Sequence, residues 1–199
     1  MDINSPNFLF LFLPLFMLVY LIVPQRGKLI IGVAGSLLFY AWGSLPYVAM
    51  MMVLTLFAYF LARGIDRWRD QRTSLFLLWL GILVNVALLV VFKLWTGVKY
   101  PLGLSYVTFQ VIAYLLEVYN KVSASEKDML AFSFYLLLFP KIPVGPITRH
   151  RQLREQIQNI QVVPTDVADG LRRYIRGFAK KALIADTLAR VVTPIFKLA

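Results

Sequence analysis

The sequence predicts an all-α integral membrane protein, built as a helical bundle that crosses the bilayer several times. Hydrophobic residues make up 59% of the 199 residues and charged residues only 16%, and the mean hydropathy is +0.69. These values lie outside the range of soluble globular domains. The apolar residues are gathered in runs whose length suits a bilayer core about 30 Å thick. The sequence has no cysteine and one histidine, which excludes disulfides, thiolate chemistry and a metal site built from Cys or several His.

Five apolar runs are predicted as membrane-spanning helices. In chain order they cover residues 8–23, 29–43, 45–62, 75–92 and 102–119. Pro14 predicts a kink in the first run, because proline lacks the backbone N–H that a helix interior needs. The second and third runs are separated by little more than the sequence GSLP, which predicts a tight helical hairpin. Asn85, near the centre of the fourth run, either bonds a neighbouring helix or faces a cavity.

The positive charges between these runs predict an orientation, because short loops rich in Lys and Arg stay in the cytoplasm. With the N-terminus outside, Lys93 and Lys99 are the outer cations. The inner cations are then Arg26, Lys28, Arg63, Arg67, Arg69, Arg72, Lys121 and Lys127. We therefore expect a periplasmic or luminal N-terminus. The net charge of +11 is typical of positive flanks that face anionic lipid, and we expect no nucleic-acid partner.

Residues 130–148 predict a re-entrant segment rather than a full span. The apolar part, residues 130–139, is too short to cross a membrane, and the sequence FPKIPVGPI follows from Phe139. Its three prolines donate no backbone hydrogen bond, and its glycine permits close approach. Non-helical backbone at membrane depth is tolerated only inside protein or beside a watery cavity. This segment is therefore predicted to line a cavity.

Three polar residues in the fifth run are predicted to face the same cavity. Gln110, Tyr114 and Glu117 follow i, i+4, i+7 spacing and so share one helix face. For Glu117, placement at the membrane interface beside Tyr119 and Asn120 is an equal alternative.

His150 is the only histidine and lies in the sequence TRHR. Histidine is the usual general base near neutral pH, but no carboxylate lies close in sequence to orient this one. Contact of the RHR triplet with a phosphate or lipid headgroup is the favoured hypothesis, and a catalytic His150 is the lesser one.

Residues 166–192 predict a basic amphipathic helix that lies in the membrane interface. Its apolar face begins at Leu171, and its basic face carries Arg172, Arg173, Arg176, Lys180 and Lys181. A basic helix with aromatic and aliphatic residues opposite is typical of an interfacial position. A calmodulin-like target or a nucleic-acid helix is the less favoured interpretation.

Four stretches in order carry a family resemblance. They are LFYAWGSLPY at 38–47, YPLGLSYVTFQVIAYLLEVYNK at 100–121, FPKIPVGPITRHRQL at 139–153 and GLRRYIRGFAKKALIADTLA at 170–189. From about residue 29 onward the chain resembles the membrane-bound O-acyltransferase family, above all its bacterial alginate O-acetyltransferase branch.

The resemblance implies a multi-helix enzyme of the bacterial inner membrane that encloses a tunnel. In that family an acyl group from a cytoplasmic donor, such as acetyl-CoA, crosses the bilayer toward an exported polysaccharide. A periplasmic SGNH-type acyltransferase usually completes the transfer, and no cofactor is bound. The residues that match the family's proline-glycine loop near the cavity are Pro140, Lys141, Gly145, Pro146 and Arg149.

The chain also departs from the family pattern. The family's catalytic histidine lies in a later apolar segment with a Trp-His-Gly type motif, which this sequence does not contain, and the position of His150 is commonly occupied by another residue. The resemblance therefore implies the N-terminal half of such an enzyme, with its catalytic residues unknown here and no activity by itself. A non-catalytic membrane scaffold or remnant that binds lipid or partner subunits is the alternative, and a transporter the third.

Overall fold

The structure, a computed structural model, describes residues 5–43, 45–69, 71–94, 100–101, 103–141, 145, 147–158, 160 and 163–196. All regular structure within these residues is helical, which confirms the all-α prediction. The helices are α1 (Leu13–Ile22), α2 (Gln25–Gly43), α3 (Leu45–Arg67), α4 (Arg72–Leu94), α5 (Leu104–Tyr119), α6 (Met129–Leu137), α7 (His150–Gln158), α8 (Pro164–Lys180) and α9 (Asp186–Phe196). Two π-helical turns, Phe8–Phe12 and Lys181–Ala185, precede α1 and α9.

A helix occupies each of the five predicted spans. Two of them, α3 and α4, each have 23 residues and are long and apolar enough to cross a membrane. Phe8–Ile22, Gly27–Gly43 and Leu104–Tyr119 are apolar but shorter. The helix α3 continues past the predicted end at residue 62 to Arg67, whose positive charge suits the negative end of the helix dipole.

Pro14 lies in the first turn of α1, directly after the π-helical turn. A proline in a first turn interrupts no backbone hydrogen bond of that helix. The change from π to α geometry lies directly before this proline, between Phe12 and Leu13.

The main core lies where α3, α4, α5 and α6 pack together. Buried side chains from all four helices meet there, and they include Met51, Ala58, Ile65, Leu78, Val107, Val111, Leu115, Phe132 and Tyr135. A second cluster joins Phe8, Phe39 and Phe139. Because Phe139 follows α6, this aromatic cluster holds the segment after α6 against the π-helical turn Phe8–Phe12 and α2.

The short helix α6 ends shortly before Pro140. Asp128 caps its N-terminus by accepting a hydrogen bond from the backbone N of Leu130 at 2.8 Å. After the helix, the backbone N of Phe139 donates to Oγ of Ser36 at 3.1 Å. That buried N–H is satisfied by α2, so the non-helical backbone here lies inside protein. The re-entrant course of residues 130–148 stays a prediction.

The chain divides into two compact units, Met1–Ile160 and Gln161–Ala199. The second contains α8, the turn Lys181–Ala185 and α9, which follow one another directly. The predicted helix 166–192 lies within them. Its apolar side chains are exposed, including Leu171, Ile175, Leu183 and Leu188. Its position in the membrane interface stays a prediction.

Candidate functional site

The segment before α7 is attached to α5 and α6 through one carbonyl group, that of Thr148. Its oxygen accepts hydrogen bonds from Nε2 of Gln110 at 2.7 Å and from the hydroxyl of Tyr135 at 3.0 Å. Nζ of Lys141 lies 3.5 Å from Oγ1 of Thr148 and 5.6 Å from the centroid of the Tyr135 ring. These contacts fix the end of the proline-glycine loop against the bundle.

Gly145 closes a tight turn in this loop. Its backbone N donates to the carbonyl oxygen of Lys141 at 2.7 Å. A Cβ at this position would lie 2.5 Å from the same oxygen and 2.9 Å from Cα of Lys141. Both neighbours are backbone atoms that cannot rotate away, so the turn requires glycine.

His150, at the start of α7, is buried, with an exposed fraction of 1%. Its ring lies edge-on to two tyrosines, with centroid distances of 4.9 Å to Tyr114 and 5.0 Å to Tyr135. Nδ1 lies 3.4 Å from Oγ of Ser123, and Nε2 lies 3.5 Å from Oε2 of Glu126. Both ring nitrogens therefore face polar groups of the loop between α5 and α6.

Glu126 is the carboxylate that sequence reasoning missed. Its Oε1 accepts from the backbone N of Lys127 at 2.9 Å and of Asp128 at 3.3 Å, and Nε of Arg154 lies 3.6 Å from Oε2. Hydrogen bonding to His150, opposed by burial and supported by the two backbone N–H groups, lowers the pKa of Glu126 to about 2. The carboxylate is therefore ionised at neutral pH.

Tyr114 connects this pair to α5. Its hydroxyl oxygen accepts a hydrogen bond from the backbone N of Glu126 at 2.8 Å, while its ring packs on His150. The α5 helix thus orients both members of the pair. Sequence spacing placed Tyr114 beside Gln110 but gave no sign of Glu126, whose position depends on how residues 120–128 fold back.

The predicted site residues lie in different surroundings. Gln110 and Tyr114 are buried in α5, and Lys141 lies near Gln110 through Thr148. Oε2 of Glu117 and Oε1 of Gln110 are buried without a hydrogen-bond partner among the described residues. Pro140 and Arg149 are exposed, and Pro146 lies outside the described residues.

The hypothesis for the RHR triplet changes with the burial of its middle residue. Arg149 and Arg151 are exposed, whereas the His150 ring is enclosed by protein. Of the three, the two arginines therefore remain candidates for contact with a phosphate or headgroup.

Two pockets flank the loop between α5 and α6. The smaller, of about 450 Å³, is lined by Glu126, Asp128, Arg154 and apolar residues of α2, α6 and α7. The larger, of about 890 Å³, lies at the end of α3. In the part of the chain that the structure describes, no group of His, Asp and Glu side chains could hold a metal ion.

Comparison with known proteins identifies relatives along the whole chain. A Pseudomonas fluorescens protein named "Probable alginate O-acetylase AlgI" is 32% identical over 210 residues, which cover 100% of this chain and 41% of the relative. The chain is a relative of the alginate O-acetylases. The protein of the same name from Pseudomonas syringae pv. tomato is 30% identical over 100% of this chain and 42% of its own length.

A further relative bears a different name. The "Peptidoglycan O-acetyltransferase" of Helicobacter pylori is 28% identical, over 94% of this chain and 45% of its own length. The resemblance to membrane-bound O-acyltransferases of the alginate O-acetylase type is confirmed. The chain spans less than half the length of these relatives. No protein-family model and no solved structure matches it.

Proposed function

We propose that this chain is part of a membrane O-acyltransferase that passes an acyl group, most simply acetyl, across the inner membrane to an exported polysaccharide such as alginate. The observation that carries the proposal is the similarity of the entire chain to alginate O-acetylases. The peptidoglycan O-acetyltransferase supports it, because its name describes the same transfer onto another cell-surface polymer. The donor in this proposal is acetyl-CoA, and a periplasmic SGNH-type partner completes the transfer.

Membrane insertion is part of the proposal. The helices α3 and α4 are long enough to cross a bilayer, and three shorter apolar helices accompany them. Large apolar side chains stay exposed on these helices, such as Phe76, Leu83 and Leu94 on α4. Such a surface suits lipid as its surroundings. We place the N-terminus in the periplasm because the loops expected inside carry most of the cations.

The proline-glycine loop is proposed to form a wall of the acyl pathway. The hydrogen bonds from Gln110 and Tyr135 to Thr148 support this role, because they hold non-helical backbone without needing water or lipid. Acceptor atoms on Gln110 and Glu117 in α5 are buried without a hydrogen-bond partner among the described residues, so they are the unsatisfied polar groups behind this wall.

His150 is proposed to hold the fold rather than to catalyse. Its ring is enclosed by two tyrosines and faces Ser123 and Glu126. A general base must reach the proton that it removes, and this ring is closed off by protein. We therefore assign the chemistry to a histidine in the remainder of the longer enzyme and propose that these 199 residues alone are inactive.

The test uses a bacterium that carries the complete natural gene and exports an acetylated polysaccharide. Acetyl ester on the exported polymer is measured by NMR for the complete protein, for its Arg149→Gln variant and for the chain Met1–Ala199 alone. We expect acetylation with the complete protein, a reduced level with Arg149→Gln and none with the chain alone. Arg151→Gln, an equally exposed neighbour, is the matched control and should retain activity.

Two results would overturn the proposal. Acetyl transfer by the chain alone, abolished by His150→Ala at unchanged protein level, would place the chemistry in these residues. Unchanged polymer acetylation after deletion of the gene, although the protein inserts normally into the membrane of the parent strain, would favour the non-catalytic scaffold.

A further inference from the structure

A basic pocket lies at the C-terminal end of α3. Its volume is about 890 Å³, and its walls come from the last turns of α3 and from the loop between α5 and α6. The cationic side chains that line it are Arg63, Arg67, Arg69 and Lys127. This concentration of positive charge on a membrane-length helix has no role in the acyl pathway described above.

Asp66, the carboxylate among the lining residues, is already satisfied within the protein. Its Oδ2 accepts from the backbone N of Ser125 at 3.1 Å and from Oγ of Ser125 at 2.7 Å, and Arg69 forms an ion pair with its other oxygen. Nε of Arg69 is buried without an acceptor among the described residues. The carboxylate is therefore not available to neutralise the remaining cations.

Three cations of the pocket have no acidic partner among the residues that the structure describes. Arg63, Arg67 and Lys127 are exposed and make no ion pair with a carboxylate of the described residues. Arg63 and Arg67 lie one helical turn apart on the same face. The pocket therefore carries an excess of positive charge that an anionic ligand would neutralise.

Contacts between α3 and the loop hold the backbone of Lys127 and the side chain of Arg63. The hydroxyl of Tyr59 donates to the carbonyl oxygen of Lys127 at 2.6 Å, and the Arg63 guanidinium lies 5.9 Å from the centroid of the Tyr59 ring. The bonds between Ser125 and Asp66 add a second tie. The backbone of the loop lysine and the guanidinium of Arg63 are thus held in place before any ligand binds.

The same wall also has an apolar part. Phe60 is 64% exposed and Trp68 is 40% exposed. Phe60 precedes Arg63 and Arg67 at i, i+3 and i+7 spacing, so one helix face passes from apolar to basic over a rise of about 10 Å. Tryptophan is enriched at the level of lipid headgroups. A ligand that has both an anionic group and a hydrocarbon chain fits this change from an apolar to a basic surface.

We propose that this pocket binds one anionic phospholipid, with its phosphate against Arg63, Arg67 and Lys127 and an acyl chain along Phe60. Arginine and lysine near the membrane surface attract anionic headgroups, and arginine adds hydrogen bonds to phosphate oxygens. The site needs membrane insertion but no acyl-transfer activity, so it is independent of the reaction proposed above.

The test uses Trp68 as the reporter. In the full chain every other tryptophan is replaced by phenylalanine, and the protein is reconstituted in phosphatidylcholine vesicles. Quenching of Trp68 fluorescence is compared between brominated phosphatidylglycerol and brominated phosphatidylcholine at equal mole fraction. We expect phosphatidylglycerol to be favoured by about tenfold in apparent affinity, as several cations at the membrane surface imply. Equal quenching by the two lipids would overturn the proposal.

Substitutions test whether the preference for phosphatidylglycerol depends on the cations of the pocket. The triple change Arg63→Gln, Arg67→Gln and Lys127→Gln should abolish the preference for phosphatidylglycerol. A control that removes the same charge from exposed positions outside the pocket should keep it, and its changes are Arg72→Gln, Lys93→Gln and Lys121→Gln. Circular dichroism verifies that each variant is folded. If the triple pocket variant does not fold, the single variant Arg67→Gln is used in its place. Loss of selectivity in the control, or its retention in the pocket variant, would contradict the assignment.

A competition experiment with inorganic phosphate distinguishes a lipid site from a site for a soluble anion. Inorganic phosphate is added at constant ionic strength, with chloride as the reference salt. If phosphate removes the quenching by phosphatidylglycerol and chloride does not, the site binds soluble phosphate and the lipid proposal is wrong. We expect the two salts to act alike, by screening only.

Discussion

Nε2 of His150 lies 3.5 Å from Oε2 of Glu126, and this contact joins the first residue of α7 to the loop between α5 and α6. The loop turns the carboxylate toward the ring by hydrogen bonds from the backbone N atoms of Lys127 and Asp128. Tyr114 and Tyr135 enclose the ring from α5 and α6. This buried pair thus connects α5, α6 and α7 with the loop between α5 and α6. Its removal should destabilise the packing of all four segments.

The first prediction concerns the stability of the fold at low pH. The pKa of Glu126 falls from its ordinary value of 4.5 to about 2 in the folded protein. Because the folded pKa is the lower one, the stabilisation is complete above pH 4.5 and is lost as the pH falls toward 2. We expect the contact to contribute about 2 kcal/mol to the free energy of unfolding at pH 7. Thermal unfolding in detergent, followed by tryptophan fluorescence across this pH range, measures it.

Glu126→Gln should remove that pH dependence while Asp169→Asn should not. Asp169 pairs with Arg172 on an exposed helix surface, with side-chain exposures of 62% and 69%, where an ion pair contributes little. The difference in stability between wild type and Glu126→Gln should shrink from pH 7 to pH 2. A constant difference across that range would show that Glu126 does not titrate as described.

The second prediction concerns the histidine ring. His150→Ala leaves a cavity between two tyrosines and a buried carboxylate without its ring partner. We expect a loss of about 3 kcal/mol in the free energy of unfolding. His150→Ala combined with Glu126→Gln should lose less than the two single changes added together, because the second change removes the buried charge. Chemical denaturation in mixed micelles tests this, and strict additivity would contradict a direct interaction.

The third prediction concerns the carbonyl oxygen of Thr148, which two side chains share. Gln110→Leu or Tyr135→Phe removes one of the two donors to this carbonyl oxygen and leaves the other, so each should cost about 1 kcal/mol. The double variant leaves a buried carbonyl without either donor and should cost more than the sum. Protease cleavage within residues 140–149 should rise most in the double variant. Unchanged protection there would show that these bonds do not hold the loop.

Sequence reasoning recovers the helices because hydrophobic runs and bilayer thickness constrain them directly. It also identifies the short helix before the proline-glycine loop, since Pro140 follows an apolar run too short to span. The grouping of Gln110 and Tyr114 on one helix face follows from the helical repeat. Their distinct partners, Thr148 and Glu126, do not follow from it, because they come from chain segments whose return path no local pattern specifies.

The burial of His150 escapes sequence reasoning for the same reason. In sequence it stands between two arginines, which is typical of an exposed basic stretch. At the start of an amphipathic helix, however, adjacent residues point in different directions, so Arg149 and Arg151 are exposed while His150 is buried. Knowing which side faces the core requires the packing of α7 against α6.

The fourth prediction compares one substitution at two glycines. A Cβ at Gly32 in α2 would lie 2.3 Å from Cε2 and 2.6 Å from Cδ2 of Phe134 in α6. Phe134 is buried, with an exposed fraction of 7%, so its ring cannot move without disturbing the core. Gly32→Ala should therefore lower the free energy of unfolding of the first unit by about 1 to 3 kcal/mol.

Gly170 in α8 is the matched control, because nothing lies within 4 Å of a Cβ built there. Alanine is the better helix former by about 1 kcal/mol, so Gly170→Ala should leave the first unit unchanged and raise the helicity of α8. Circular dichroism reports the helicity, and thermal unfolding in detergent reports the stability. Equal effects of the two substitutions on thermal unfolding would mean that α2 and α6 do not approach as closely as the structure shows. The comparison thus isolates the contact between these helices from the general preference of a helix for alanine.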